Sequence, residues 1–363
     1  AISIDAGSWN VFDMWHPNSG EAWNVFVLEC LGTLDLTLPR DKTPYLTARY
    51  SDMSMARGLL AESWSQPDPL TFVINVRQGV HWHDKEPMNG RELIADDIVF
   101  NFHRVFGMGS GFTEASEWLQ DWAGVEFESI TATDKWTVVF KLQETRLDAL
   151  GTILFDGATQ MYPPEVIKEH GDVSDWRNLV GTGPFELTDF VDGSSFTYTK
   201  NPDYWGYDEK FPENRLPYVD EFRVLVMPEE ATRLAALRSG KIDYSGYHGS
   251  GAAIKSIDVA ESLKRTNPEL VLNEYSERAD NGFIFDVSKP PFDDIRVRKA
   301  MNMALDQETI NNTYFKGYGD TTPRGQTGVP GFYVPFDEWP QDVKDTYRYD
   351  PEGAERLLDE AGY

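Results

Sequence analysis

The middle of the chain holds a β-prone run, a helical run and a second β-prone run in direct succession. Glu221 to Met227 has the composition of a strand, Pro228 suits the start of a helix, and Gly240 suits its end. Lys241 to Tyr244 is short and β-prone again. Because a helix that connects two strands packs back onto their sheet, this order predicts a βαβ unit with parallel strands. Ligands of such sheets bind beyond the carboxyl ends of the strands.

Hydrophobic periodicity predicts further elements before this unit. Apolar residues recur at every second position in Leu70 to Val76 and in Trp136 to Leu142, which is typical of half-buried strands. Between them, Asp97 to Phe106 places apolar side chains on one helical face. Glu21 to Leu34 has the three-and-four spacing of an amphipathic helix, and Ala1 to Ile4 is predicted to be a short strand.

Acidic residues mark the starts of helices in the last part of the chain. Asp293 or Asp294 is expected to cap a helix that continues through Leu305. Asp350 is expected to cap a final helix, which Gly362 ends.

The length of the chain predicts more than one domain. A chain of 363 residues exceeds what one hydrophobic core usually organises, so two or three domains are expected. No apolar run approaches the roughly 18 residues that a membrane-spanning helix needs. Two β-prone runs, Val271 to Tyr275 and Asn281 to Asp286, are separated by a polar joint. This change predicts a hinge near Tyr275.

The chain is strongly acidic, with 33 lysines and arginines against 60 aspartates and glutamates and a net charge of −27. Such a charge repels nucleic acid and anionic lipid, so no nucleic-acid partner is expected. It indicates a solvated surface and does not identify a ligand. Cys30 is the only cysteine, which excludes a disulfide within the chain and a cysteine metal cluster.

The signatures of common enzymes are missing from the sequence. It contains no His-Glu-x-x-His, Gly-x-Ser-x-Gly, Gly-x-x-x-x-Gly-Lys or Cys-x-x-Cys motif. His81, His83 and Asp84 have the chemistry of metal ligands, but on a strand the histidines share one face and Asp84 points away from it. No catalytic or metal-binding residue is therefore assigned. A hydrolase stays open as an alternative, because paired carboxylates cannot be read from spacing alone.

Aromatic residues concentrate in the predicted loops. Trp9 and Trp15 follow the first strand, Tyr244 and Tyr247 lie at the end of the βαβ unit, and Tyr275 lies at the hinge. Aromatic faces give a large contact area at a small entropic cost, which suits a cleft for peptides or sugars. The glycines between positions 246 and 251 would let a ligand approach the backbone, although glycine also occurs in ordinary flexible loops.

Several blocks of sequence occur together in an order that is shared with a known family. They are Leu60-Ala-Glu-Ser-Trp, Val76-Arg-Gln-Gly-Val-His-Trp-His-Asp, Ala95-Asp-Asp-Ile-Val-Phe, Gly181-Thr-Gly-Pro-Phe, Asn201-Pro-Asp-Tyr-Trp-Gly, Ala231-Thr-Arg-Leu-Ala-Ala-Leu-Arg-Ser-Gly-Lys-Ile-Asp, Pro290-Pro-Phe-Asp-Asp-Ile-Arg-Val-Arg-Lys-Ala-Met-Asn and Tyr349-Asp-Pro-Glu-Gly-Ala-Glu-Arg-Leu-Leu-Asp-Glu-Ala-Gly-Tyr. Each block alone is a weak signal. Together, over most of the chain, they resemble the family 5 extracellular solute-binding proteins, the peptide and nickel receptors that feed ABC importers.

The resemblance implies an α/β fold of the two-lobed periplasmic-binding-protein type, type II, with an extra inserted domain. By this resemblance, residues 1–40 and 180–275 form the first lobe, 41–179 form the inserted domain and 276–363 belong to the second lobe. Members of the family continue beyond the position of Tyr363, so the second lobe is expected to be incomplete at its C-terminus.

The resemblance also implies a function without catalysis or cofactor. The protein would capture oligopeptides or dipeptides by hinge closure and deliver them to the permease subunits of an ABC importer. An oligosaccharide receptor stays open because of the aromatic content, and a nickel-chelate receptor has only His16 and His248 in candidate loops. The protein is expected to be a monomer outside the cytoplasm, either periplasmic or lipid-anchored on the outer face of the cell membrane.

The candidate ligand-binding residues come from both lines of reasoning. The resemblance implies that the loop at Trp9 and Trp15, together with Glu29, Tyr247, Tyr275 and Asn281, faces the cleft between the lobes. Position at a strand end adds Tyr244. The seven candidates are Trp9, Trp15, Glu29, Tyr244, Tyr247, Tyr275 and Asn281.

Overall fold

A computed structural model shows how the chain is organised. It describes residues 2–4, 12–13, 24–35, 37–38, 53–116, 125–155, 159–246, 254, 256–273, 283–319, 321 and 334–363. The chain divides into two compact units, one with residues 1–43 and 51–253 and the other with residues 44–50 and 254–363. The domain boundaries predicted at residues 40, 180 and 275 stay a prediction.

The described residues form strands and helices in a mixed order. The strands are β1 (Ile2–Ile4), β2 (Gly32–Leu34), β3 (Ala56–Gly58), β4 (Ala61–Asp68), β5 (Thr71–Val76), β6 (Phe127–Asp134), β7 (Thr137–Leu142), β8 (Phe185–Val191), β9 (Ser195–Lys200), β10 (Glu221–Val226) and β11 (Tyr244–Ser245). The helices are α1 (Ala95–Phe106), α2 (Ala149–Phe155), α3 (Pro164–His170), α4 (Glu230–Arg238), α5 (Ile257–Thr266), α6 (Ile295–Met303), α7 (Gln307–Thr313), α8 (Gln341–Lys344) and α9 (Pro351–Ala361). Within these residues, no helix has the length and apolar character needed to cross a membrane.

The first unit contains a five-stranded sheet in the order β11-β1-β10-β9-β8. β1 runs parallel to both β10 and β11, with Ile2 opposite Val224 on one side and Tyr244 on the other. β9 is antiparallel to β10, and β8 is antiparallel to β9. The predicted βαβ unit is confirmed, because α4 connects β10 to β11 and both strands run in one direction. The two strands are not neighbours, since the predicted amino-terminal strand lies between them.

The strand directions divide the loops of this sheet between its two ends. The connections that follow β1, β10 and β11 leave at one end, here called the carboxyl end. The β9–β10 connection lies at the opposite, amino end, and so does the start of β8, because Phe185 is opposite Lys200. The segment after β1 confirms this placement, since the ring of Phe12 lies 5.2 Å from that of Phe190 near the end of β8. β1 and β11 therefore end on the same side of the sheet, and the segments predicted to bind the ligand follow them in the chain.

A second, antiparallel sheet has the order β4-β5-β7-β6, and α1 packs on one of its faces. The strands predicted from alternation are confirmed as β5 and β7, whose residues Ile74 and Phe140 are fully buried. The predicted helix is confirmed as α1. Its residue Phe102 is buried, with its ring 4.8 Å from that of Phe140. Gly107 ends α1 at a φ of 66°, a conformation that suits glycine.

The helix predicted over Glu21 to Leu34 does not continue beyond residue 24. Residues 25–27 form a turn, and residues 32–34 form β2. The backbone of this segment bonds to distant parts of the chain, because the Val27 carbonyl accepts from the Gly183 N–H and the Glu29 carbonyl accepts from the Met161 N–H, both at 2.9 Å. Its apolar spacing reflects a segment that crosses the core, and it does not mark a helical face.

Helices make up the second unit among its described residues. α6 begins where the Asp294 side chain accepts from the backbone N–H of Arg296 at 2.8 Å. α9 begins where Asp350 accepts from the N–H of Gly353 at 2.8 Å, and Gly362 ends it. Both caps confirm the predicted helix starts. α6 and α9 pack on each other, and their small residues, such as Ala300 of α6, are buried at this contact.

The two β-prone runs beside the predicted hinge do not form strands where the structure describes them. Residues 271–273 and 283–286 have no strand pairing. Val271 and Ile284 are 85% and 86% exposed, so their apolar side chains have no packed neighbours to select a strand. The hinge position itself, near Tyr275, lies outside the described residues.

Replacing Gly181 with alanine should strongly destabilise the first unit. A Cβ atom at this position would lie 1.8 Å from the carbonyl oxygen of Val27, so one of two backbone segments would have to move. We expect a loss of about 3 kcal/mol in the free energy of unfolding, which urea denaturation measures. Gly151→Ala in α2 is the matched control, because its Cβ would meet nothing within 4 Å and should stabilise the helix by about 0.5–1 kcal/mol. Similar effects for both variants would contradict the close approach.

Candidate functional site

Tyr244 is the candidate ligand contact that the structure describes in β11, the two-residue strand that ends at the carboxyl end. It begins this strand, which is the last one beside β1 among the described residues, and is 44% exposed. Gly246 follows at a φ of 110°, a backbone conformation that favours glycine, and there the chain turns into the predicted binding segment. Five other candidates, Trp9, Trp15, Tyr247, Tyr275 and Asn281, lie outside the described residues.

Buried arginines hold the two neighbouring connections at this end. Arg104 of α1 donates to both carboxylate oxygens of Asp13, at 3.1 and 2.6 Å, and Asp13 also accepts from the Val173 N–H at 3.1 Å. Arg233 of α4 donates to the carbonyl of Met227 at 2.6 Å. Asp13 is fully buried, and both arginines are 4% exposed. Charge-assisted hydrogen bonds therefore anchor the segments that follow β1 and β10.

Glu29 lies at the amino end of the sheet, so the structure does not bring it together with Tyr244. Its Oε1 accepts from the hydroxyl of Tyr204 at 2.9 Å. Its Oε2 accepts from Oγ1 of Thr182 at 2.7 Å and from Nε1 of Trp205 at 3.2 Å. Thr182 belongs to the Gly-Thr-Gly-Pro-Phe block, and the two aromatic residues belong to the Asn-Pro-Asp-Tyr-Trp-Gly block. One buried carboxyl group therefore joins two of the blocks that carry the family resemblance.

Burial raises the pKa of Glu29 to about 7, because an environment without water disfavours the charged form. The hydrogen bonds from Thr182, Trp205 and Tyr204, and the positive charge of Arg77, lower this pKa and oppose the effect of burial. The Arg77 guanidinium lies 5.0 Å from the centre of the Trp205 ring. Glu29 consequently exchanges its proton near neutral pH while it remains inside the fold.

His83 binds the Gly-Thr-Gly-Pro-Phe block from another side. Its backbone N–H donates to the Gly181 carbonyl at 2.8 Å, its Nδ1 accepts from the Gly181 N–H at 3.3 Å, and its Nε2 lies 2.9 Å from the Gly183 carbonyl. This pattern requires the neutral ring with its hydrogen on Nε2. Burial lowers the pKa of His83 to about 4, which keeps the ring neutral.

The rings of both His81 and His83 thus contact backbone groups. His81 is exposed, and its Nδ1 lies 2.7 Å from the Gly90 carbonyl oxygen. In the part of the chain that the structure describes, no three histidine, cysteine, aspartate or glutamate side chains are grouped so that they could hold a metal ion.

The sequence patterns did not identify the partners in these polar clusters. Thr182 and Glu29 are 153 positions apart, and Arg104 and Asp13 are 91 positions apart, so no local spacing connects them. One usable signal is the position of Glu29 in the apolar run from Val25 to Leu31. A carboxylate inside such a run needs buried hydrogen-bond donors.

Comparison with known sequences gives one family. The family described as bacterial extracellular solute-binding proteins, family 5 Middle, matches residues 56–363. Heme-binding protein A of Haemophilus influenzae is 29% identical over 315 residues, which cover 84% of this chain and 53% of that protein. The dipeptide-binding protein of Escherichia coli is 28% identical over 315 residues, which cover 84% of this chain and 54% of that protein. The chain therefore spans about half the length of these relatives.

Comparison with solved structures agrees on the fold. The ABC transporter-associated periplasmic binding protein DppA from Helicobacter pylori, in complex with the peptide STSA, matches with a TM-score of 0.69 and 21% identity. The match covers 100% of this chain and 65% of that chain. The predicted α/β fold of the two-lobed periplasmic-binding-protein type is confirmed by this likeness.

The titration of Glu29 should make the stability of the first unit fall as pH rises. Below pH 4.5 the group is protonated in both the folded and the unfolded chain, and between pH 4.5 and about 7 only the unfolded chain ionises it. The free energy of unfolding should therefore decrease across this window, by about 3 kcal/mol at most from this group. Urea denaturation of the protein and of Glu29→Gln, from pH 4 to pH 8, isolates the effect as the difference between the two. A difference that stays constant with pH would show that Glu29 has an ordinary pKa.

Proposed function

The chain belongs to the family 5 bacterial extracellular solute-binding proteins, and on that basis we propose that it is the substrate-binding protein of an ABC importer. It captures oligopeptides or dipeptides and passes them, chemically unchanged, to a membrane permease. The observation that carries this proposal is the family match over residues 56–363. The structure supports it with a sheet in which β1 and β11, the strands that precede the predicted ligand segments, end on the same side.

A peptide is the ligand class that the relatives support best. The Escherichia coli relative is named as a dipeptide-binding protein, and the Helicobacter pylori structure contains a peptide. An extended peptide can also pair with a strand at the edge of a sheet, and β11 is the last strand of this sheet in the part of the chain that the structure describes. The Haemophilus influenzae relative is named for heme, so a ligand test has to include heme beside oligosaccharides and Ni²⁺.

We assign two different roles to the candidate residues. Tyr244 contacts the ligand directly, because it is exposed at the carboxyl end, and Trp9, Trp15, Tyr247, Tyr275 and Asn281 complete the contact set. Glu29 contributes indirectly. Its carboxylate oxygens already accept from Thr182, Tyr204 and Trp205, so it supports the sheet from the amino end.

Capture requires two parts that close on the ligand. We propose a hinge near Tyr275 between a first lobe of residues 1–40 and 180–275 and a second lobe that begins at residue 276, with residues 41–179 as the inserted domain. The ligand selects the closed form, because only that form contacts it from both sides. The permease subunits then recognise the closed form. The protein works outside the cytoplasm as a monomer.

One chemical class of ligand should raise the melting temperature of the protein. At 100 times the dissociation constant, a bound ligand stabilises the folded protein by about 2.7 kcal/mol. We expect this shift with dipeptides or oligopeptides in differential scanning fluorimetry, and no shift with oligosaccharides, Ni²⁺ or heme. An unchanged melting temperature with millimolar peptides would contradict the peptide proposal. A shift with one of the other ligands would support a receptor function with a different ligand class. Hydrolysis of the peptide would contradict the non-catalytic role.

The exposed tyrosine at the carboxyl end should affect binding and leave stability unchanged. Tyr244→Ala should raise the peptide dissociation constant about tenfold or more, because an aromatic contact with a ligand is lost. The matched control is Tyr207→Ala, since Tyr207 is 53% exposed in the β9–β10 connection at the amino end. Isothermal titration calorimetry and thermal melts of both variants test this. Equal peptide affinities of the two variants would show that Tyr244 does not contact the ligand. A large loss of stability in Tyr244→Ala would show that its ring packs within the fold.

A further inference from the structure

A set of buried polar side chains lies beside the segment that follows β1. Asn24 and Asn101 are fully buried, and Gln160 is 2% exposed. One side-chain atom of each has no hydrogen-bonding partner in the part of the chain that the structure describes, namely Oδ1 of Asn24, Nδ2 of Asn101 and Oε1 of Gln160. Buried polar atoms in folded proteins nearly always have a partner, in the protein or in ordered water.

Two of the three residues contact Tyr162, and the third is close to it in the chain. Oδ1 of Asn101 accepts from the backbone N–H of Tyr162 at 3.2 Å. Nδ2 of Asn24 lies 3.5 Å from the Tyr162 hydroxyl and donates to the Phe12 carbonyl at 2.6 Å. Gln160 precedes Tyr162 by two positions in the chain. The four residues Asn24, Asn101, Gln160 and Tyr162 are here called the Tyr162 layer.

The chemistry of the unpaired atoms selects the ligand. A metal cation would be repelled by the N–H groups of Asn101, and an anion would be repelled by the amide oxygens of Asn24 and Gln160. The nearest buried charges, Arg104 and Asp13, bind each other at 2.6 Å and do not require a counter-ion. A water molecule can accept a hydrogen bond from one donor and donate to two acceptors, which matches the three unpaired atoms.

We propose that the Tyr162 layer is an internal water-binding site. Ordered water accepts a hydrogen bond from Nδ2 of Asn101 and donates to Oδ1 of Asn24 and to Oε1 of Gln160. Internal waters in globular proteins typically make about three hydrogen bonds to groups that would otherwise stay unpaired. The site requires no ligand in the cleft and is independent of the proposed transport function.

The water has a structural task at this position. Asn24 binds the Phe12 carbonyl, and the next residue, Asp13, binds Arg104. Phe12 and Asp13 lie between Trp9 and Trp15 in the chain. Water in the Tyr162 layer therefore completes the buried hydrogen bonds that hold the segment after β1 in place.

Gln160→Met distinguishes a hydrated layer from a dry one. Methionine has a similar volume without the polar atoms. If water binds Oε1, the substitution removes a satisfied group and one of the three partners of the water, and the melting temperature should fall by about 3 °C. If the layer is dry, it removes an unpaired polar atom and the melting temperature should rise. Gln78→Met is the matched control, because Gln78 is exposed in a turn. The melting temperature of this variant should stay within about 1 °C of that of the unchanged protein.

A crystal structure of the unchanged protein gives a direct measurement that does not depend on the variant. We expect electron density for water within hydrogen-bonding distance of Nδ2 of Asn101 and of at least one of the two amide oxygens. Density that shows the three side chains bonded to one another, or packed without water, would overturn the proposal. A melting temperature of Gln160→Met above that of the unchanged protein would overturn it as well.

Discussion

The first unit depends on a close backbone contact between the segment around Val27 and the Gly-Thr-Gly-Pro-Phe block. The Val27 carbonyl accepts from the Gly183 N–H at 2.9 Å, and a Cβ atom at either Gly181 or Gly183 would lie within 2.6 Å of that carbonyl oxygen. His83 binds the same block through its backbone and its ring, and Glu29 binds it through Thr182. These contacts join segments that are distant in sequence, so the segment around Val27 and Glu29, His83 and the start of β8 are held together. The glycines are required because only their backbone can come so close.

The two ends of the five-stranded sheet have different tasks. At the amino end, the polar side chains around Glu29 have partners within the fold and support the structure. At the carboxyl end, Arg104 and Arg233 anchor the connections after β1 and β10, and β11, in which Tyr244 is exposed, ends on the same side. The blocks Gly181 to Phe185 and Asn201 to Gly206, which make the family recognisable, lie at the amino end. This position explains why the family resemblance is informative about the fold and much less informative about the ligand, since relatives of similar identity are named for heme and for dipeptides.

Periodicity and capping residues predicted those elements whose structure depends on local interactions. β5, β7, α1, α6 and α9 were all predictable, because alternation, one apolar face or an aspartate cap is enough to select them. The segment from Glu21 to Leu34 was not predictable in the same way, since after the turn at Asn24 the carbonyls of Val27 and Glu29 accept from Gly183 and Met161, which are distant in sequence. The βαβ pattern predicted that a strand over Lys241 to Tyr244 ends at Tyr244, but β11 begins at that residue and ends at Ser245. The role of Glu29 was not predictable, because its three donors come from blocks more than 150 positions away.

The position of β1 between β10 and β11 has a consequence for the order in which the chain folds. Ile2 pairs with Val224 and Tyr244, so both neighbours of the first strand are made more than two hundred residues after it. Closing so long a loop costs entropy before any contact compensates for it, whereas β8 and β9 are joined by a short turn and can pair early. We therefore expect β8, β9 and β10 to assemble first and to serve as the template that β1 joins late. A strand that is synthesised long before its partners would thus be among the last to reach its native place.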